Sequence, residues 1–214
     1  MRHIVHTTPW PASIVAAHRQ DPRPQNPRDA WAAFDSTEVR DELWLIQHGL
    51  CAYCERVLDP GPGGSSIDHV VPKSANPEVT FLYSNLVLCC RDPKTCNLHK
   101  AGDHFAGWDT TGRWTDGFVS PTQVRCETSF DYKGDGSVVP SSTAVEPDAT
   151  DTLRIINLNF PELKTSRRDY LGAIDRAIVS MADQIDAINA YLSAELSLGG
   201  MKPYFSAKRQ NFQV

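Results

Sequence analysis

The chain has 214 residues, enough for one compact domain or for a small catalytic core with helical additions, and 41% of them are apolar, which supplies a buried core. A net charge of −5 argues against a nucleic-acid binder held by surface charge alone, since lysines and arginines that neutralise phosphate carry most non-specific affinity. Either the basic residues gather on one face or another molecule delivers the substrate. No run approaches the roughly 18 apolar residues of a membrane span, and the first residues lack a signal-peptide core, so the chain reads as cytoplasmic.

Residues 1–26 are rich in Pro, Gln and Arg and read as an extended arm with a short helix around Ile14 to His18. Helical patterning begins near Arg28 to Phe34 and resumes after Ser36-Thr37, an N-cap signal. From there Val39, Leu43, Trp44, Ile46 and Leu50 suit one amphipathic face, and Gly49 can end the helix just before Cys51. Pro60-Gly-Pro-Gly-Gly64 is a turn, after which Ser66 to Val71 has strand composition and Pro72 stops it. Asn85 to Cys89 gives a second short strand, and Thr95 to His104 a helix.

Residues 107–125 show no usable periodicity. Glu127 to Tyr132, a Lys-Gly-Asp-Gly turn and Ser137 to Pro140 read as a β-hairpin, and Ser141 to Pro147 as a polar connector. The last third is helical, with one helix over Asp148 to Leu158 and a longer one after Pro161. In the longer helix Leu163, Tyr170, Leu171, Ile174, Ile178, Met181, Ile185, Ile188, Leu192 and Leu196 form one apolar stripe, which Gly199-Gly200 ends. Packing against the protein's own core is the simplest use of such a stripe, and a partner-binding face is the other.

Cysteine pairs at short spacing in a reducing compartment point to metal ligands rather than disulfides. Cys51-x-x-Cys54 lets two sulfurs reach one ion from a tight turn, and Cys96 is the natural third ligand. Cys90, five residues after Asn85, is favoured over Cys89 as the fourth. Together they make a structural zinc site, with a set of buried free thiols as the alternative. Between the knuckles lies Asp68-His69. Such a dipeptide is ordinarily a surface feature, and neighbouring residues of a strand point to opposite faces. Its place between the two cysteine pairs is what singles it out.

Cys51-x-x-Cys54, Ile67-Asp68-His69-x-x-Pro72-Lys73, Asn85-Leu86 leading to Cys90, and Cys96-Asn97-x-x-Lys100 together resemble the HNH endonucleases, whose ββα-metal fold holds a single catalytic divalent ion. The resemblance implies a catalytic set of Asp68, His69, Asn85 and Asn97. His69 would be the general base, Asn85 would brace the loop and orient it, and Asp68 with Asn97 would hold Mg²⁺ or Mn²⁺. His99 or His104 could replace or supplement Asn97, and Lys73 or Lys100 could reach phosphate.

Further afield, Arg40-Asp-Glu-Leu43, Gln47 to Glu55, Ile156-Asn-Leu-Asn159, Leu163 and the Arg167-Arg168 pair are similar to the HNH nucleases of Septu-type and retron-associated anti-phage systems. Those resemble effectors paired with an ABC-type ATPase. The expectation is an α+β protein. It has an N-terminal arm and helix (1–38), a zinc-stapled HNH core (39–108), a β-hairpin insertion (109–146) and a C-terminal helical region (147–214). It would cut nucleic acid, DNA before RNA; the rivals are an RNA-cleaving nuclease and a non-catalytic zinc adaptor.

Overall fold

A computed structural model of the chain describes residues 1–6, 8–60, 63–101, 117–144, 148–181, 186, 188–190 and 203–212. It mixes helices with two small antiparallel sheets of two strands each. Among the described residues no helix is long and apolar enough to cross a membrane.

The first 26 residues, expected as an extended arm with a short helix, pack onto the core. Met1 and Ile4 are buried in the main core, the Ile4 N–H donates to the Pro121 carbonyl at 2.8 Å, and helix α1 (Ala12–Gln20) buries Ile14. Helix α2 (Pro27–Ala33) starts at a proline, whose fixed φ suits a first turn, and is capped by Asn26, whose side chain accepts from the Asp29 N–H at 3.3 Å. Helix α3 (Thr37–Gln47) buries Val39, Leu43 and Gln47, each four residues after the last, and stops where His48 and Gly49 take φ of 53° and 68°. Gln47 is a polar fastener: its side chain accepts from the Leu88 N–H at 2.7 Å and donates to the Leu88 carbonyl at 2.8 Å, so α3 is pinned to the sheet as another strand would be.

That sheet pairs β1 (Ser65–His69) with β2 (Leu86–Cys90), Ser65 facing Cys90 and His69 facing Leu86. Helix α4 (Cys96–Lys100) follows and packs on β2. Strand β1 ends at His69 rather than Val71, because Val71 turns to bond Asn85 instead of a strand partner. Residues 102–116, and with them His104 and the end expected for this helix, lie outside the described residues.

The hairpin forms from β3 (Phe130–Tyr132) and β4 (Val138–Pro140). Its turn needs Gly136, at φ 83°, because a Cβ there would run into the Lys164 carbonyl. Helix α5 (Asp148–Ile155) is shorter than expected and is followed by Asn157 in the left-handed region at φ 48°. Helix α6 (Pro161–Ser180) buries Leu163, Leu171 and Ile174 on one face, while Val179 is 72% exposed. Ile185, Leu192, Leu196 and Gly199-Gly200 lie outside the described residues. A final helix, α7 (Phe205–Phe212), has no counterpart in the sequence reading.

The Ile156-Asn-Leu-Asn159 segment ties the C-terminal region to the rest. The Ile156 carbonyl accepts from the Cys96 N–H at 2.9 Å and Asn157 Nδ2 donates to the Lys94 carbonyl at 2.9 Å. Asn159 makes two bonds to the Val138 backbone, at 2.8 and 2.7 Å. The buried Arg167 adds a 2.8 Å bond to the Gly136 carbonyl and another to that of Leu158.

Candidate active site and metal centre

Cys51, Cys54, Cys90 and Cys96 converge, their four Sγ atoms all within 4.8 Å of one another, and each is buried. Cys51 and Cys96 are 3.8 Å apart and Cys54 and Cys90 3.9 Å. A tetrahedral ion with zinc–sulfur bonds of about 2.3 Å separates its ligands by about 3.8 Å, which these two opposite pairs match. Burial pushes the Cys51 and Cys96 thiols up, whereas hydrogen bonds from Cys51, Cys54 and Cys96 push Cys90 down. The cluster therefore shares little negative charge unaided, and a cation at its centre is what would let all four become thiolates. Arg56 lies 3.6 Å from Cys90 Sγ and bonds Asp92 at 2.9 Å, a positive neighbour suited to an electron-rich cluster. Cys89, one residue away, is outside the group. Cys96 itself sits at φ 55°, held by its bond to Ile156.

The other sequence candidates meet in a cleft of about 340 Å³. Asp68, His69 and Asn97 all line it, with Arg28, Lys73 and Lys100. Asp68 and His69 share it although they are neighbours in sequence, because the strand ends at His69 and the alternation of faces ends with it. His69 is 5% exposed, its Nε2 is 2.9 Å from the Thr80 carbonyl, and the Trp31 ring stands edge-on to it at 4.5 Å. Since a carbonyl only accepts, Nε2 carries the proton and Nδ1 the lone pair. Burial, with the charges of Lys73 and Lys100, lowers the imidazole to about 3 against the partial opposition of the Thr80 bond. His69 is therefore neutral at pH 7.

Asn85 does not line the cleft. Its side chain accepts from the Val71 N–H at 2.8 Å and donates to the Val71 carbonyl at 2.9 Å, closing the turn that follows His69. Asn97 Nδ2 reaches Ser66 Oγ at 3.2 Å. His99 turns away, with Nδ1 2.8 Å from the Ile155 carbonyl.

Three contributors, Tyr53, Trp31 and Arg28, escaped the sequence reading. Tyr53, the spacer inside the first cysteine knuckle, is fully buried and donates its hydroxyl to Asp68 Oδ2 at 2.6 Å. Burial and the Asp68 charge push that phenol up, so it remains a donor. Lys100, named from the sequence as a residue that could reach phosphate, pairs with the same Oδ2 and donates to the His69 carbonyl at 2.9 Å. Asp68 Oδ1 takes no hydrogen bond among the described residues. From α2, Trp31 packs on His69, and Arg28 lines the cleft. Spacing could flag only Lys100, four residues after Cys96; the rest are brought in by tertiary packing.

The cleft's donors suit a hard cation: one carboxylate oxygen and one amide oxygen, with room for water and phosphate, are the kind of set Mg²⁺ accepts. Lys100 is the opposing term, since its ammonium already neutralises part of Asp68.

No protein-family model matches the chain. Over 143 residues it is 28% identical to a protein of Vibrio cholerae serotype O1 biovar El Tor named "Retron Vc95 putative HNH endonuclease", an alignment covering 62% of this chain and 63% of that protein. The chain thus matches less than two thirds of that relative's length. The likeness is distant, and it supports the HNH endonucleases at the level of the family.

Proposed function

We propose that the chain is a metal-dependent HNH endonuclease with a zinc-stapled ββα-metal core, hydrolysing phosphodiester bonds in DNA before RNA. The observation that carries this reading is the meeting of Asp68, His69 and Asn97 in one cleft, where β1, β2 and α4 follow in the order strand, strand, helix. Asp68 through Oδ1 and Asn97 through its amide oxygen would hold Mg²⁺ or Mn²⁺, which supplies Lewis-acid stabilisation of phosphate charge when bound. His69 Nδ1 accepts the proton of the attacking water. The Thr80 carbonyl fixes the tautomer, Trp31 fixes the ring, and Asn85 shapes the turn behind it. Tyr53 and Lys100 hold Asp68 from the side of Oδ2, leaving Oδ1 to the cleft. Four thiolates around zinc would form the structural site. The distant likeness to a protein named for a retron suggests a retron context, and the resemblance of the sequence to anti-phage HNH nucleases extends the proposal to an effector working with an ABC-type ATPase.

The test is cleavage by purified protein, alone and with any ABC-type ATPase found encoded beside it, of plasmid DNA, single-stranded DNA and RNA in Mg²⁺ or Mn²⁺. Metal-dependent cutting of DNA is expected. Protein that binds zinc yet cuts none of these would be the adaptor instead.

The buried imidazole adds a pH signature. Its folded pKa lies below the ordinary 6.5, so the neutral base is present throughout pH 5.5–8. The profile of kcat/KM, which reports the free enzyme, should show no acid limb near 6.5. A limb there would mean that His69 is either not buried or not the base.

A further inference from the structure

We propose that Arg28 of α2 and Lys73 of the turn after β1 form a phosphate clamp that grips the backbone of the bound strand at the mouth of the cleft. The inference rests on the nuclease reading and adds the residues that hold the substrate. The chain is acidic overall, at −5, yet three cations and one carboxylate line this cleft. Lys100 is matched by Asp68. Arg28 and Lys73 have neither a hydrogen bond nor an ion pair among the described residues. They come from different elements, 45 residues apart in sequence by their numbers, so no local pattern forces them together.

Their proximity is a cost the fold carries. Burial lowers the Lys73 ammonium, and the charges of Arg28 and Lys100 lower it further, against the attraction of Asp68. A bound anion is what would relieve that repulsion. Arg28 is well placed for the part. Trp31, three residues on and so on the same side of α2, is anchored against Phe34, Phe81 and His69, at 5.3, 6.1 and 4.5 Å between ring centroids. The exposed guanidinium presents a fork that matches phosphate oxygens, while Lys73 acts as a point charge. Contacts of this kind read the backbone and not the base, so the grip is indifferent to sequence. They also suit an acidic chain that must hold nucleic acid, since two cations without an ion pair line the cleft where the strand would lie.

The experiment uses the full chain carrying His69→Ala to prevent turnover. Binding of a fluorescein-labelled 20-base-pair DNA duplex, and of RNA of the same sequence, is followed by anisotropy across a KCl series. Adding Arg28→Ala or Lys73→Ala should each weaken binding about tenfold and lower the slope of log K against log[KCl] by about 1. Arg154→Ala, which removes an exposed arginine of α5 paired with Asp151, should leave that slope unchanged. Arg28 is an exposed helix residue, so its removal should not disturb folding. If Arg28→Ala and Lys73→Ala behave like Arg154→Ala while the parent binds and wild type cuts, the clamp is wrong and the nuclease reading survives. If the parent binds neither DNA nor RNA at low salt and wild type does not cut, both fall together.

Discussion

Replacing His69 with alanine is expected to slow cleavage by about 10²- to 10⁴-fold, the usual contribution of a positioned general base, while zinc content stays the same. Single-turnover cleavage in saturating Mg²⁺ is the measurement, because it isolates the chemical step from product release. The expectation follows from the state of the ring. Nε2 is committed to the Thr80 carbonyl, so Nδ1 is the basic atom, and burial keeps the imidazole neutral at working pH. A free-enzyme value near 3 describes a weak base. The scissile phosphate adds negative charge beside Lys73 and Lys100, the two cations that help to depress it, and so shifts His69 back toward basicity when it is needed. The substitution also removes the Trp31 contact and the Thr80 bond. A loss of roughly 1–3 kcal/mol in stability should therefore accompany the loss of rate. His69→Gln separates the two effects: it can keep a bond to Thr80 but cannot take the proton. An unchanged rate in both variants would remove His69 from the chemistry.

Cys54→Ser should be more damaging, costing zinc and fold together. Serine is a poor zinc ligand, and three thiolates would remain around an ion that prefers four. Structural zinc sites are worth on the order of 10–16 kcal/mol in small peptides, comparable to or larger than the typical 5–15 kcal/mol stability of a whole domain. The four sulfurs join the loop after α3, the end of β2 and the start of α4. Those segments carry Tyr53, Asn97 and Lys100, so the metal site and the cleft are linked by short pieces of chain. Tyr53 stands between two of the ligands and bonds Asp68 directly. Zinc content by elemental analysis and thermal unfolding by circular dichroism check this. A variant that unfolds at the wild-type temperature with no zinc would show that the cluster is four buried thiols and nothing more.

Much of the cysteine geometry was legible in the sequence because ligand spacing is local: two residues within a knuckle determine whether two sulfurs can face one point. The distinction between Cys90 and Cys89 was harder, since every residue of β2 is buried and no alternation of polarity marks its faces. The two strands and the helix around Asp68 were also legible in outline, with ends misjudged where Val71 bonds Asn85 in place of a strand partner. The docking of residues 1–6 was not, because two apolar side chains, Met1 and Ile4, make no periodic pattern. Helix α7 escaped for a related reason. It is fixed by polar side chains, with Gln210 bonding the Tyr132 N–H and the Phe130 carbonyl and Ser206 bonding Glu55, so it shows no apolar stripe. Arg28, Trp31 and Tyr53 belong to the site through tertiary packing alone, which no spacing rule could reveal.

On the proposed reading the chain would carry two metal sites of different chemistry, sulfur for structure and oxygen for cutting. Metal content and cleavage of the wild-type protein, measured together after brief EDTA treatment and metal re-addition, test it most directly. One zinc per chain should persist through the chelator, and cleavage lost to EDTA should return with Mg²⁺ or Mn²⁺ but not with Zn²⁺. Cleavage that is indifferent to EDTA, or a folded protein that never contains zinc, would contradict it.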